Sequence, residues 1–440
     1  MKKKAWSRWI LALAVVWPCM AVARDRVREK ENFDFDWKFI LNADDRANAG
    51  MQVSEAGWPD VQLPHDWSIS QDFNPKLSGS NGHLPGGIGW YRKTFRVDKE
   101  DKGRRIAVLF DGIYSRSDVY VNGQHLGFRP YGFCYQEYDL TPYLNYGAEN
   151  VLAVRVNNPL EHDSVARWYT GAGIYRHAWL VKTAEVHVAS YGTYVTTPVV
   201  TAERAEVRVR TSVANEAERT KTLSVRQQIT DGEGRTVVQS GKQALQVAAG
   251  QTADTEHTLK IPRPQLWDTE HPYLYTLHTA VYDGRKLVDT YETVFGVRTC
   301  EFTPDRGFLL NGKPLKLKGF CLHQDDASLG TALPLRSMER KLEICNQPSP
   351  EFLDLCDRMG FVVIDEAFDK WKSGYYAQYF DAWWQEDLKN MLVRDRNHPC
   401  VVLWSIGNEL QEAWDGSDTG CRRAAMLQDF VHGFEPSRQV

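Results

Sequence analysis

The stretch Val401–Glu409, Val-Val-Leu-Trp-Ser-Ile-Gly-Asn-Glu, constrains the fold more than any other part of this chain. Its apolar and β-branched run is nearly continuous rather than alternating, as a parallel strand covered on both faces requires. Gly407 lets the backbone turn out of the sheet, so Asn408 and Glu409 stand at the strand's carboxyl end. Barrel and open α/β folds place their chemistry at that end. Glu409 is therefore a candidate acid or base, set against the plainer reading of a solvated carboxylate that opens a loop. Upstream, Phe380, Trp384, Leu388 and Leu392 recur at four-residue spacing, and Asn397-His398-Pro399 ends that run. The segment reads as helix, stop, buried strand.

A length of 440 residues predicts about three domains. From about Asp34 to Lys182 the pattern is short strands, among them Arg105–Phe110, Asp118–Val121, Val151–Val156 and His177–Val181, with Asn122-Gly123 as a tight hairpin turn. That predicts an all-β sandwich. Between 184 and 298, alternation in Val207-Arg208-Val209-Arg210, Leu223-Ser224-Val225 and Tyr273–Leu277, with turn signals at Asp231-Gly232 and Asp283-Gly284, predicts a second, smaller sandwich. From Thr299 strands alternate with helices, which indicates a parallel α/β domain. Leu309–Pro314 reads as a hairpin, Leu315–Cys321 as a strand ending before His323, and Gly360–Ile364 as a strand ending in Asp365-Glu366. His323, Asp365 and Glu366 thus follow strands, where side chains reach a substrate. Neighbouring Asp365 and Glu366 point to opposite faces, so at most one is expected to line a cavity.

Several strings resemble glycoside hydrolase family 2: Arg394-Asp395-Arg396-Asn397-His398-Pro399 with Trp404–Glu409, Leu63-Pro64-His65-Asp66-Trp67, Gly89–Phe95, Tyr120-Val121-Asn122-Gly123, and Trp168–Arg176. With residues 1–23 set aside as a signal peptide on their own pattern, the resemblance implies a jelly-roll sugar-binding domain at 24–183, an immunoglobulin-like β-sandwich at 184–298 and a partial TIM (β/α)8 barrel at 299–440. It implies a retaining hydrolase of terminal β-D-galactosides with Glu409 as acid/base. Asn408 would bond the sugar's 2-hydroxyl, and His323, Asp365, Glu366 and Trp404 would lie about the substrate. β-Glucuronidase and β-mannosidase relatives share this architecture, and a non-catalytic carbohydrate-binding remnant is the rival from another class. His65-Asp66 is read as a hydrogen-bonded structural pair, and the Arg167–Arg176 loop as a segment that approaches the sugar cleft.

Two departures from the pattern are visible. Leu335–Ile344 and Glu351–Met359 read as helices with no strand between them, so a barrel strand is expected to be missing near Cys345. Thr299 to Val440 is also well short of the roughly 250 residues of a typical barrel, and the family's nucleophile is expected beyond Val440. An open barrel with bare strand edges and apolar interior predicts poor solubility.

The expected partner is a β-linked oligosaccharide or other glycoside, with no cofactor; no dense carboxylate cluster commits to a cation. No basic cluster points to nucleic acid. The 15 Trp and 19 Tyr suit sugar clefts and sandwich cores alike. Seven scattered cysteines remain beyond Cys19 and name no disulfide pair. Lys2-Lys3-Lys4, the short apolar run Trp9–Val16 and Ala21-Val22-Ala23 read as a secretory signal, giving a secreted or periplasmic chain with no membrane span after cleavage. Mass spectrometry of the exported chain is expected to find Arg24 at the N-terminus; retention of residues 1–23 would contradict this.

Overall fold

The computed structural model describes residues 27–41, 44–158, 168–319, 321–342, 349–374, 376–414 and 418–440. The expected signal segment and the junction at Cys345 lie outside them.

Two antiparallel sheets form the first sandwich. One has four strands, with Arg105–Phe110 between Ala178–Thr183 and Gln136–Asp139; the other has six, centred on Gly87–Arg96 and Glu149–Asn158. Alternate residues of each sheet meet in a core of Trp37, Tyr91, Val108, Phe110, Val119 and Val154, all fully enclosed. Asn122 and Gly123 both take positive φ, 50° and 84°, and close the Ser117–Val121/Gln124–Arg129 hairpin as its twist requires. This is the jelly roll. Its last strand ends at Thr183, and the next sheet begins at Val186.

The second sandwich packs the sheet of Val186–Val200, Arg204–Asn215 and Gln251–Pro262 against a five-stranded sheet led by Lys221–Thr230 and Tyr275–Asp283. Arg204–Asn215 buries every second residue, Val207, Val209 and Val213 among them, which is the alternation seen in its sequence. The expected turn at Asp283-Gly284 falls on Gly284 and Arg285.

In the third domain four helices flank a short parallel ribbon: α1 (Leu335–Leu342), α2 (Pro350–Met359), α3 (Ala377–Asp395) and α4 (Asp418–Phe434). Ser349 caps α2 by accepting from the Phe352 amide, and Pro350 opens the helix rather than interrupting it, since its missing N–H is one the first turn leaves unpaired anyway. Val363–Glu366 and Val401–Ser405 pair in parallel, and Leu403 also bridges in parallel to Gln439. Gly360 is not the start of a strand but the left-handed cap of α2, φ 77°. The expected strand Leu315–Cys321 forms no ladder among its described residues; at its start the Leu315 amide donates to the Phe308 carbonyl at 2.9 Å, continuing the hairpin before it. Where neighbouring strands do not cover the ribbon, Ile364 is 54% exposed.

The Asn397-His398-Pro399 stop also docks this domain. Asn397 accepts from the Val195 amide and donates to the Thr193 carbonyl of the second sandwich, and His398 Nδ1 lies 2.6 Å from Asp357 Oδ2.

The Asp66 carboxylate is one of the groups that join the jelly roll to the barrel domain, beside the Arg129–Asp387 pair. Asp66, 3% exposed, accepts from the Ser68 and Ala172 amides on Oδ1, and from Tyr169 OH, the Thr331 amide and Thr331 Oγ1 on Oδ2. Gly171 and Gly330, both left-handed at φ 61° and 62°, let these backbones come so close; a Cβ on either would lie 2.4 or 2.3 Å from Asp66 Oδ2. The hydrogen bonds of His65 and Asp66 run to other segments rather than forming the expected pair: His65 Nδ1 meets Tyr91 OH at 2.7 Å. Asp66→Asn turns an amide N–H₂ toward the Tyr169 and Thr331 donors. It is expected to cost about 2–4 kcal/mol in urea unfolding; a loss below ~1 kcal/mol would show that the Asp66 contacts contribute little.

Candidate active site

Strand alternation assigns the chemistry of the ribbon. Ile364, Glu366, Leu403 and Ser405 share the open face, and Ser405 Oγ donates to Glu366 Oε2 at 2.6 Å. Asp365 and Trp404 share the other face, 2% and 1% exposed. Trp404 therefore does not lie about the substrate as expected. Its indole packs against the helices and donates to Glu435 Oε2 at 2.9 Å, because position 404 falls on the buried side of the pleat.

Asp365 sits against α3, where Arg394 forks both oxygens of Asp395 at 2.6 Å. Burial first, and the neighbouring Asp395 next, push the Asp365 carboxyl well above the usual range. Burial likewise raises Glu366, partly offset by the Ser405 hydroxyl. Although they face opposite sides, both Asp365 and Glu366 border one crevice of about 70 Å3. The strand ends at Glu366, and the crevice wraps around that end.

The jelly roll forms the crevice's other wall. Trp168 stacks on His323 with ring centres 4.0 Å apart and planes 9° apart. Arg176, 4% exposed, donates twice to Gln324 Oε1, at 3.1 and 2.8 Å. The Trp168–Arg176 loop does approach the cleft, while Arg167 lies outside the described residues. Trp168 and Gln324 border the crevice, and His323 backs Trp168.

At the mouth, the backbone leaving Val401–Ser405 is gripped by residues that leave Val363–Glu366. The Ile406 carbonyl accepts from Trp371 Nε1 at 2.7 Å. The Asn408 amide donates to the Asp369 carbonyl at 3.0 Å and its Nδ2 to Asp369 Oδ1 at 3.1 Å. Lys370 Nζ bonds the Asn408 carbonyl at 2.6 Å and Asp369 Oδ1 at 3.0 Å. Glu409 follows directly, exposed and in a left-handed conformation at φ 43°. A non-glycine residue held there stores strain that its surroundings must offset, which the Asp369-Lys370 grip does. Glu412, on the same loop, is taken up by Arg423 and the Lys372 amide. Asp369, Lys370 and Arg394 were not singled out from the sequence. The signal that would have found the first two is their place three and four residues beyond a strand end.

The site can thus present one exposed carboxylate beside an amide, tied through Asp369 to a crevice lined by Trp168, Asp365, Glu366 and Arg394. Lys370→Met removes two charge-assisted hydrogen bonds, to the Asn408 carbonyl and to Asp369 Oδ1, and is expected to weaken the hold on Asn408 by about 1.5 kcal/mol. Hydrogen exchange at the Asn408 amide is expected to speed about tenfold, with Val401–Ser405 amides unchanged; no change at Asn408 would show that the grip does not depend on Lys370.

Comparison with known proteins agrees with this architecture. The sugar binding domain model of glycosyl hydrolases family 2 matches residues 73–184, the central family 2 model 186–298, and its TIM barrel domain model 303–440. The chain is 43% identical over 435 residues to the β-galactosidase BoGH2A of Bacteroides ovatus, covering 93% of this chain and 50% of that one. It is 31% identical to a β-glucuronidase of Formosa agariphila, covering 87% and 42%. A family 2 member from Bacteroides cellulosilyticus superposes with a TM-score of 0.86 at 39% identity, covering 93% and 55%. The chain spans about half the length of the curated relatives it matches. With three family models in sequence and this fold, the chain belongs to glycosyl hydrolases family 2.

Proposed function

We propose that this chain carries the acid/base side of a retaining glycosidase site for terminal β-D-galactosides. The observation that supports this best is the presentation of Glu409. Its carboxylate is exposed at the carboxyl end of a buried parallel strand, and the backbone before it is pinned through Asn408 by Asp369 and Lys370.

In this reading Glu409 first protonates the leaving oxygen and then takes a proton from the incoming water. Asn408, its Nδ2 occupied by Asp369, offers Oδ1 to the sugar's 2-hydroxyl. Trp168, backed by the stacked His323, gives an apolar wall for one face of the ring. Higher identity to a β-galactosidase than to a β-glucuronidase supports galactoside as the substrate class. The N-terminal segment supports action outside the cytoplasm.

A retaining site needs a second carboxylate about 5–5.5 Å from the first. Asp365 is buried and turned to α3, Glu366 is bonded to Ser405, and Glu412 is paired with Arg423. Following the family resemblance, we assign the nucleophile to a segment other than residues 1–440, and expect this chain alone not to turn over glycosides.

Assays of this chain joined to the half of the Bacteroides ovatus relative that it does not match test the reading. That protein is expected to cleave an aryl β-galactoside in preference to a β-glucuronide. Glu409→Gln is expected to slow substrates with poor leaving groups by about a hundred- to ten-thousandfold and to spare activated ones. Equal loss on both kinds would count against Glu409 as the acid. Turnover by residues 1–440 alone, abolished by Glu409→Ala, would overturn the assignment of the nucleophile elsewhere.

A further inference from the structure

Beneath the strand that leads to Glu409 lies a polar and sulfur-bearing cluster that the glycosidase reading does not use. Asp357, His398 and Cys400 bring a carboxylate oxygen, a ring nitrogen and a sulfur within 4.8 Å of one another, and Cys356 adjoins them. A metal is one reading of such a trio, but its polar groups already satisfy each other. Asp357 Oδ2 takes His398 Nδ1 at 2.6 Å, and Oδ1 takes the Cys400 amide at 2.9 Å. Burial alone would lower the His398 pKa; the facing Asp357 carboxylate outweighs this and pushes it up to about 9. At neutral pH the ring is then a cation without a lone pair for a metal.

What remains unassigned is the pair of thiols. Cys356 lies in the last turn of α2, and Cys400 directly precedes Val401–Ser405. Three contacts seat Cys400 on one face of α2: its amide on Asp357, its Sγ 3.6 Å from the Leu353 carbonyl, and its Sγ in hydrogen-bond contact with the Cys356 thiol. Leu353, Cys356 and Asp357 are the i, i+3 and i+4 positions of that face. Both side chains are enclosed, 1% and 0% exposed, within the core of the barrel domain. The other described cysteines are placed differently: Cys134 is held by Asp387, Cys300 by Arg298, and Cys321 and Cys421 are exposed.

We propose that Cys356 and Cys400 are joined as an internal disulfide when this chain folds under oxidising conditions, fastening the end of α2 to the base of the Val401–Ser405 strand. Each thiol gives up its proton, the two sulfurs give up two electrons as the S–S bond forms, and the oxidant's disulfide, that of glutathione or of an exchange protein, is reduced to two thiols. The step runs through a mixed disulfide and needs an accessible thiolate. It therefore precedes closure of the core, after which burial holds the Cys400 thiol protonated. The bond ties a helix to the strand whose other end presents Asn408 and Glu409.

The test is a cysteine map of the full chain after refolding in a mixed reduced and oxidised glutathione buffer. The protein is denatured, alkylated without reduction and cleaved before aspartates, which isolates Cys356 in residues 354–356 and Cys400 in residues 395–414. The expected result is one cross-linked species of those two peptides, lighter by two hydrogens than their sum and lost on reduction. In Cys356→Ser, Cys400 is expected to become fully alkylated. Alkylation of both cysteines in the unreduced chain, pairing of either with another cysteine, or zinc bound in their place would overturn the proposal.

Discussion

The Asp66 carboxylate is the contact on which the arrangement of the site depends. Its five donors come from its own turn, from the Ala172 segment of the jelly roll and from Thr331 of the barrel domain. An acceptor-only group buried so deeply is tolerated when each lone pair meets a donor, and here the donors are the segments that must be brought together. Trp168 and Gln324 lie within a few residues of this knot. The aromatic wall and the Arg176 bond thus inherit their positions from it.

The same economy governs the ribbon. Alternation places Asp365 against α3 and Glu366 on the open face, so adjacent carboxyls acquire different roles. Asp365 becomes a buried acid of raised pKa beside Asp395, and Glu366 an acceptor for Ser405. Past the strand ends, Asp369 and Lys370 hold Asn408 from three directions, and this permits Glu409 its left-handed backbone. The His398–Asp357 pair anchors the opposite end of the strand.

What was legible in the sequence was whatever depends on local pattern. The unbroken apolar run at Val401 became a parallel strand, Asn122-Gly123 a tight turn, and the alternation about Val207 a half-buried strand. Glu409 could be singled out because a strand's carboxyl end is visible without knowing its neighbours. The readings that failed depended on partners distant in sequence. Leu315–Cys321 has a strand's composition but forms no ladder among its described residues beyond the bond of Leu315 to Phe308. Trp404, expected about the substrate, is turned by strand register to Glu435. Asp66, Asp369 and Lys370 act through segments far along the chain, and no spacing within their own strings discloses those contacts.

The account turns on Glu409 being the proton donor rather than the attacking group. The most direct measurement is to trap a completed barrel with a 2-deoxy-2-fluoro aryl β-galactoside and locate the sugar by peptide mass spectrometry. The 2-fluoro group destabilises the transition state for release of the glycosyl–enzyme ester, so the label stays on the nucleophile. The predicted result is a labelled carboxylate in the completing half, with Glu409, Glu366 and Asp365 unmodified. A sugar bound covalently to any of those three would contradict the account.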